Sequence, residues 1–308
     1  TIAIAFAVLG AAYAILGGLR AVAVSDTYGG ILVLAMGLLI VVLSLMAIDF
    51  DFSGIPAERL TLIGDNASPI PWPTLLTGMF LIQIFYWSTN QTITQRAMAA
   101  PTVKEAQKGV YAAAFIRVVF IPSMVVIPGI VAFKLYGDIG DQAYGRIVGD
   151  LLPGWLSGIF AAAIAAAVLS SFNSMVNSSA AMYVCDLHEA YINDKPNLRL
   201  LSGVATAIFV IIAVSMVPIY AQSDSIINLL QELWGLISMP ILACFAVGLL
   251  FRNVDYRAAI AAVIIGVLMY AGFIWLWMPL HYIHMMFFTF LTCVAMALLI
   301  NRFGLGKK

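Results

Sequence analysis

The sequence predicts an all-α integral membrane protein with about nine transmembrane helices. Three observations carry this. Hydrophobic types make up 63% of the 308 residues and charged types 10%, whereas a soluble domain is about half apolar and a quarter charged; mean hydropathy is +1.02. Nine apolar segments run at 1–18, 25–48, 73–90, 109–135, 153–183, 199–221, 224–251, 257–278 and 281–301. They are long and continuous, as spanning helices of about 20 residues must be, and do not alternate as barrel strands do. The positive charges also sort by side. With alternating helices, eleven (Arg20, Arg96, Lys104, Lys108, Lys195, Arg199, Arg252, Arg257, Arg302, Lys307, Lys308) fall on one side and three (Arg59, Lys134, Arg146) on the other. The Lys/Arg-rich side is cytoplasmic, so the chain is expected to start outside and to place its C-terminus in the cytoplasm of a cell membrane.

Each joint between segments has a local reason. Gly17-Gly18 is expected to end the first helix. Segment 91–108, with Pro101 and a polar KEAQK stretch, reads as a connector with a short interfacial helix. The outer loops carry Asp49, Asp51, Glu58, Asp65, Asp138, Asp141 and Asp150, a solvated acidic face, and Asn66-Ala67-Ser68 is a glycosylation sequon. The chain opens on Thr1, inside an apolar run. It reads as the later part of a longer protein, with RFGLGKK a natural end.

The formal net charge is zero, so nothing draws the chain to nucleic acid or another polyanion. Cys185, Cys244 and Cys293 are scattered in apolar runs and read as small buried hydrophobes. No Ser-His-Asp set, paired acid/base carboxylates or HExxH motif occurs, so enzyme chemistry is not expected.

Polar groups inside lipid are costly unless they face a cavity or a partner. Segment 153–183 contains AAAIAAAVLSSFNSMVNSSAAMY. Its Ala167, Ser170, Ser171, Ser174 and Ser178 share an arc of about 100° on a helix. Such a face of hydroxyls and carbonyls suits a hard cation; tight helix packing with hydroxyls bonded back to their own helix is the other reading. Asn173 and Asn177 favour a wet face. Asp26, at the cytoplasmic mouth of the second segment, is either a solvated cap or a staging point for a departing cation. Segment 73–90 interleaves Tyr86 and Trp87 with Gln83, Ser88, Thr89 and Asn90. That pattern fits an interfacial aromatic belt or a polyol site of stacking faces and amides. Arg117, inside segment 109–135, is expected to face the bundle interior, with Glu232 as one candidate partner. Glu232 and Gln231 precede Trp234 and Pro240, which suggests a kinked helix around a central site. His281 and His284 have the spacing of a metal pair, but interfacial anchoring is the favoured reading; His188 reads as solvated.

The stretches FYWSTNQTITQRAMAAPTVKEAQKG, FIRVVFIPSMVVIPGI, SSFNSMVNSSA and INLLQELWGL, in this order, together resemble the sodium:solute symporter family, and most its sodium/glucose cotransporter branch. YAILGGLRAVAVSDTYGG resembles the family's GGL…TD segment. The resemblance implies a LeuT-like inverted-repeat transporter fold in one transmembrane domain over 1–308, with the first helices of the first repeat missing. Residues 1–48 would end the first repeat, 73–251 form the second, and 257–301 be accessory. It implies Na+ as coupling ion, held by the Ala167 carbonyl and the Ser170 and Ser171 hydroxyls. Asp26 and Ser174, with Asn173 at a position where relatives carry a hydroxyl, would form a second sodium site or exit path. It implies substrate-binding roles for Gln83, Tyr86, Arg117 and Gln231, with Tyr86 the inner gate. Arg117 stands where the sugar carriers have lysine, and a planar bidentate guanidinium is not equivalent to an ammonium.

The function expected is therefore sodium-coupled symport of a small polar solute, a sugar or polyol, by alternating access. Three alternatives stand beside it. One is a carrier of an anionic solute (sugar acid, carboxylate or amino acid) that meets Arg117. Another is the symporter-like sensor domain of a signalling protein. The third is a fragment that does not transport alone, because half of its sodium site lies upstream.

Overall fold

The computed structural model describes residues 2–61, 63–64, 68, 70–222 and 226–304, with side chains described outside 2–5, 11–23, 25 and 228. Thr1, Asp65, the Asn66 and Ala67 of the sequon, Lys307 and Lys308 lie outside the described residues. Helices follow one another: α1 (Ile2–Ala47), α2 (Gly78–Ser88), α3 (Gln91–Met98), α4 (Val103–Val119), α5 (Ile121–Tyr136), α6 (Ala143–Leu151), α7 (Gly154–Ala181), α8 (Glu189–Tyr191), α9 (Leu198–Ala221), α10 (Ile226–Leu250), α11 (Tyr256–Trp275) and α12 (Tyr282–Leu299). A π-helical stretch, Met182–His188, joins α7 to α8. Seven helical runs among the described residues are long and apolar enough to cross a membrane.

The division into spans differs from the expected one at three places. The first two segments form the single 46-residue helix α1, which runs through Gly17-Gly18. A glycine in a helix costs about 1 kcal/mol, but a backbone group released into hydrocarbon costs several, so the helix continues. Its membrane-length part is Asp26–Ala47. Segment 73–90 is shorter than expected. Pro71 and Pro73 set a 3-10 turn at Trp72–Leu76, and Thr77 (φ −118°, ψ −112°) separates it from the 11 residues of α2, about 17 Å of helix against a core of about 30 Å. Segment 109–135 is α4 and α5, divided at Phe120 ahead of Pro122. The helix α4 begins at Val103, inside the expected connector, because Thr102 caps it by accepting from the Glu105 N–H at 3.2 Å.

The chain forms two compact units, Thr1–Leu60 with Gln95–Ala221, and Thr61–Thr94 with Gln222–Lys308. In the first, α1 packs along α7 and also meets α5 and α9. Met36, Ile40, Val131, Ala132, Ile147 and Phe160 form its main core. All three positive charges assigned to the outer side bind acidic residues assigned to the same side: Arg59–Asp138 at 2.9 Å, Lys134–Asp51 at 2.9 Å and Arg146–Asp150 at 3.0 Å. Hydrogen bonds from the Ser53 hydroxyl and backbone N–H, then from Lys134, hold the Asp51 carboxyl well below the usual carboxylate range.

In the second unit α2, α10, α11 and α12 enclose Leu81, Ile82, Met239, Leu242, Tyr270 and Met286. The lipid solvent shows in α11. Ala258, Ala262, Gly266 and Tyr270 are buried, while Ile260, Ile264 and Leu268 are exposed. Apart from Tyr270, small residues therefore face neighbouring helices, and the large aliphatic ones face outward. Three glycines permit the closest approaches in this unit, the first being Gly78, whose added Cβ would stand 1.9 Å from the Ile283 carbonyl oxygen. A Cβ on Gly235 would stand 2.3 Å from the Tyr270 hydroxyl, and one on Gly266 2.1 Å from Cys293 Sγ and 3.0 Å from Pro240 Cγ. The helix α10 runs through Pro240 without interruption. Cys293 is buried and Cys244 half-buried, but Cys185 is exposed. It sits in the π-helical stretch past the end of α7, where the apolar run meets a polar loop, so the expected burial does not apply to it.

Candidate functional site

The first unit holds a polar cluster built on α7. Its hydroxyls lie on one arc, but depth along the helix decides what each meets. Ser174 and Ser178 are buried, at 1% and 2% exposure. Ser170 and Ala167 are half-buried and Ser171 is exposed. Ser174 Oγ donates to the Ser170 carbonyl at 2.9 Å, and Ser178 Oγ to the Ser174 carbonyl at 2.7 Å. The back-bonding expected of a packing face is therefore real for these two, and Ser170 and Ser171 are the hydroxyls of the arc for which it is not seen. Asn173 is 1% exposed, and its Oδ1 is buried without a hydrogen-bond partner. A Cβ on Gly10 of α1 would come within 2.9 Å of that oxygen.

A charge completes the cluster. The Arg96 guanidinium donates through Nη2 to Asp26 Oδ2 and to Ser174 Oγ, with Asp26 and Arg96 side chains 21% and 34% exposed. The second oxygen, Asp26 Oδ1, is buried with no hydrogen-bond partner. One residue earlier, Gln95 Nε2 donates to Ser178 Oγ at 2.6 Å, both buried. Asp26 is thus no solvated cap. It is the anchor of a guanidinium that also reaches the serine face. Sequence reasoning placed Arg96 in a connector and passed over Gln95; the polar run QTITQR after a lone intramembrane-edge carboxylate was the available signal.

Arg117 is exposed and sits in the last turn of α4, inside the membrane-length run Val103–Tyr136 as expected, but it does not face the interior of its unit. Glu232 belongs to the other unit.

The second unit holds an aromatic–amide cluster. Tyr86 of α2 stacks on Trp234 of α10, with ring centroids 6.0 Å apart and planes at 28°. Gln83 precedes Tyr86 by three residues and Gln231 precedes Trp234 by three, so each amide shares a helix face with its ring. Trp87 Nε1 donates to Gln83 Oε1 at 3.3 Å, and the ring of Trp87 meets Tyr86 edge-on at 5.2 Å. From α12, the Tyr282 hydroxyl donates to Gln231 Oε1 at 3.0 Å. Gln83, Tyr86 and Gln231 are therefore gathered in one unit as a pair of stacking faces flanked by two amides. Tyr282 and Trp87 were not read as part of it. His284 Nδ1 and Thr77 Oγ1 are 2.9 Å apart, and His281 caps α12, so each histidine has a structural task at the helix start. His188 is half-buried against Tyr183, with ring centroids 6.0 Å apart, not simply solvated.

Comparison with known proteins matches residues 1–266 to the sodium:solute symporter family. The uncharacterized symporter YidK of Escherichia coli (strain K12) is 31% identical over 307 residues, covering 95% of this chain and 54% of that protein. The sodium/glucose cotransporter of Vibrio parahaemolyticus is 34% identical over 215 residues, covering 63% of this chain and 39% of its own. Sodium/myo-inositol cotransporter 2 of Oryctolagus cuniculus is 28% identical over 239 residues, covering 70% and 35%. The chain thus spans about half, or less, of the length of the curated relatives it matches. Among solved structures, a substrate-bound, outward-open Na+-coupled sialic acid symporter superposes with a TM-score of 0.80 at 17% identity, over 97% of this chain and 66% of that one. That likeness establishes the fold as LeuT-like and all-helical.

Proposed function

We propose that this chain, which belongs to the sodium:solute symporter family, carries the sodium and solute sites of a sodium-coupled symporter whose solute is a sugar or other polyol. The observation that carries the reading is the cluster of Tyr86, Trp234, Gln83 and Gln231. Two stacked rings bordered by two carboxamides offer an apolar face for a ring's C–H groups and polar ends for its hydroxyls. Two of the relatives, a sodium/glucose and a sodium/myo-inositol cotransporter, agree with that chemistry.

In this reading sodium is cargo held on α7 by the Ala167 carbonyl and by the Ser170 and Ser171 hydroxyls. Hard oxygen ligands of this kind suit it. Asp26, Asn173 and Ser174 line the way out or a second cation position. Sodium bound on α7 favours the state that takes solute, and its departure releases Tyr86, which gates the solute inward. The coupling is a free energy shared by the two sites and must be reciprocal. An inward-negative potential adds about 2.3 kcal/mol per charge per 100 mV. Residues 1–48 close a first inverted repeat, 73–251 form the second and 257–301 are accessory. The C-terminus is cytoplasmic, on the side bearing eleven of the fifteen Lys and Arg residues.

A second reading rests on Arg117. An exposed guanidinium at the end of α4 would meet a carboxylate bidentately, which favours an anionic solute. Binding of tritiated glucose, galactose and gluconate to the full gene product, in sodium and in choline, separates the two. Sugar affinity that rises with sodium supports the polyol reading. Gluconate binding lost in Arg117→Ala supports the anionic one. No sodium dependence for any solute removes coupling from both.

A further inference from the structure

One end of the second unit gathers positive charge at the membrane boundary. The membrane-length runs there are Leu229–Leu250, Tyr256–Trp275 and Tyr282–Gly304. Arg252, Arg257 and Arg302 each lie within two residues of a boundary of these runs, at the level of the lipid headgroups. The amide of Asn301 draws them to one place. Its Nδ2 donates to the Asn253 carbonyl at 3.2 Å, and its Oδ1 accepts from the Asp255 N–H at 2.9 Å. Asn301 is buried, Asn253 makes the turn with φ at +64°, and Val254 packs on the core of Val247, Ala262 and Ala297. The three arginines are one or two residues from the partners in these bonds, and all three are exposed.

These charges lack the partners found at the opposite end of the molecule. Arg59, Lys134 and Arg146 each bind a carboxylate. Arg252, Arg257 and Arg302 form no ion pair among the described residues. Residues 249–257 and 299–308 carry five basic residues and one acid, Asp255, which caps α11 by accepting from the Arg257 N–H at 2.8 Å. The guanidinium donors are thus left for an anion from outside the chain, and their planar forks suit a phosphate. Apolar surface adjoins them. Leu250, Tyr256 and Phe303 are all exposed, the Arg257 guanidinium lies 5.7 Å from the Tyr256 ring centre, and that of Arg302 lies 5.5 Å from the Phe303 ring centre. A molecule with a phosphate at the headgroup level and hydrocarbon below it matches both surfaces.

We propose that this end of the second unit binds an anionic phospholipid, whose phosphate meets Arg252, Arg257 and Arg302 and whose acyl chains lie along Leu250, Tyr256 and Phe303. The proposal goes beyond the transport reading and does not depend on it. A zwitterionic lipid is the weaker ligand, because its headgroup brings its own cation to the arginines.

Native mass spectrometry of the detergent-solubilised full gene product tests this. Phosphatidylglycerol and phosphatidylcholine with the same acyl chains are titrated in, and inorganic phosphate is added as a competitor. Wild type is expected to bind phosphatidylglycerol the more tightly. Each arginine near the lipid surface is worth about fivefold, so the triple variant Arg252→Gln, Arg257→Gln, Arg302→Gln should lose about a hundredfold in phosphatidylglycerol affinity and little for phosphatidylcholine. Arg302→Gln alone leaves the Asn301 bonds in place and should lose about fivefold, which keeps the test decisive if the triple variant does not fold. A control triple, Lys104→Gln, Lys195→Gln, Arg199→Gln, removes the same charge from the first unit and should keep wild-type lipid affinities. Equal losses in the two triples would show diffuse attraction by net charge and overturn the site. No preference for phosphatidylglycerol in wild type, or a preference untouched by Arg302→Gln and the first triple, would overturn it as well. Displacement of the lipid by inorganic phosphate at the lipid's own concentration would assign the arginines to free phosphate and overturn the lipid claim.

Discussion

The Arg96 guanidinium is bonded to the Asp26 carboxylate, 70 residues away in sequence, and reaches Ser174 with the same nitrogen. Breaking a partly buried pair from one side leaves the other charge uncompensated. Arg96→Ala is therefore expected to lower stability by about 1–3 kcal/mol, below the figure for a fully buried pair because both side chains keep water contact. Arg96→Ala with Asp26→Asn should recover part of the loss. Thermal melts of the four proteins in detergent check this; purely additive single effects would contradict it.

The Gln95–Ser178 hydrogen bond at 2.6 Å is buried at both ends. Removing the hydroxyl leaves a buried amide donor unsatisfied, at about 1–3 kcal/mol. Ser178→Ala should lower the melting temperature clearly. Ser179→Ala, whose hydroxyl bonds only back to Met175 at an exposed position, should leave it nearly unchanged.

Which of these features could be read from the chain depends on their range. Membrane helices are legible because the apolar length a bilayer requires is local. The breaks were less so. Gly17-Gly18 resembles a stop in water, but lipid penalises an open backbone more than it penalises glycine. Residues 73–76 read as span, yet Pro71, Pro73 and Thr77 shorten it. On α7 the helical wheel puts Ser171 and Ser178 almost together, and only neighbouring elements separate an exposed Ser171 from a buried Ser178. The Arg96–Asp26 and Tyr282–Gln231 bonds join residues 70 and 51 apart, and no periodicity carries such information. Gln83 and Tyr86, by contrast, were visible as one face because they are one turn apart.

Close helix packing in the second unit turns on Gly266. A methyl there would stand 2.1 Å from Cys293 Sγ, so Gly266→Ala is expected to cost about 1–3 kcal/mol of overpacking. Cys293→Ala should relieve most of it in the double variant, measured by thermal melting. A double variant no more stable than Gly266→Ala would contradict this account of the contact.

Asp51 gives a pH dependence with a defined sign. Its folded-state pKa lies below the ordinary value of 3.8. Its contribution to stability is therefore fully present above that value and declines as pH falls from there through the folded-state pKa. The melting temperature of wild type over Asp51→Asn should hold constant from neutral pH to about 5 and narrow only below about 4. A difference that closes between pH 7 and 5 would contradict it.

Sodium coupling through α7 is the central claim, and uptake tests it most directly. Radiolabelled glucose, galactose and myo-inositol are offered to proteoliposomes bearing the full gene product, with and without an inward sodium gradient, for wild type and Ser171→Ala. Gradient-dependent uptake in wild type that falls at least tenfold in Ser171→Ala is the predicted result. Uptake indifferent to the gradient, or a Ser171→Ala variant with unaltered sodium dependence, would contradict it.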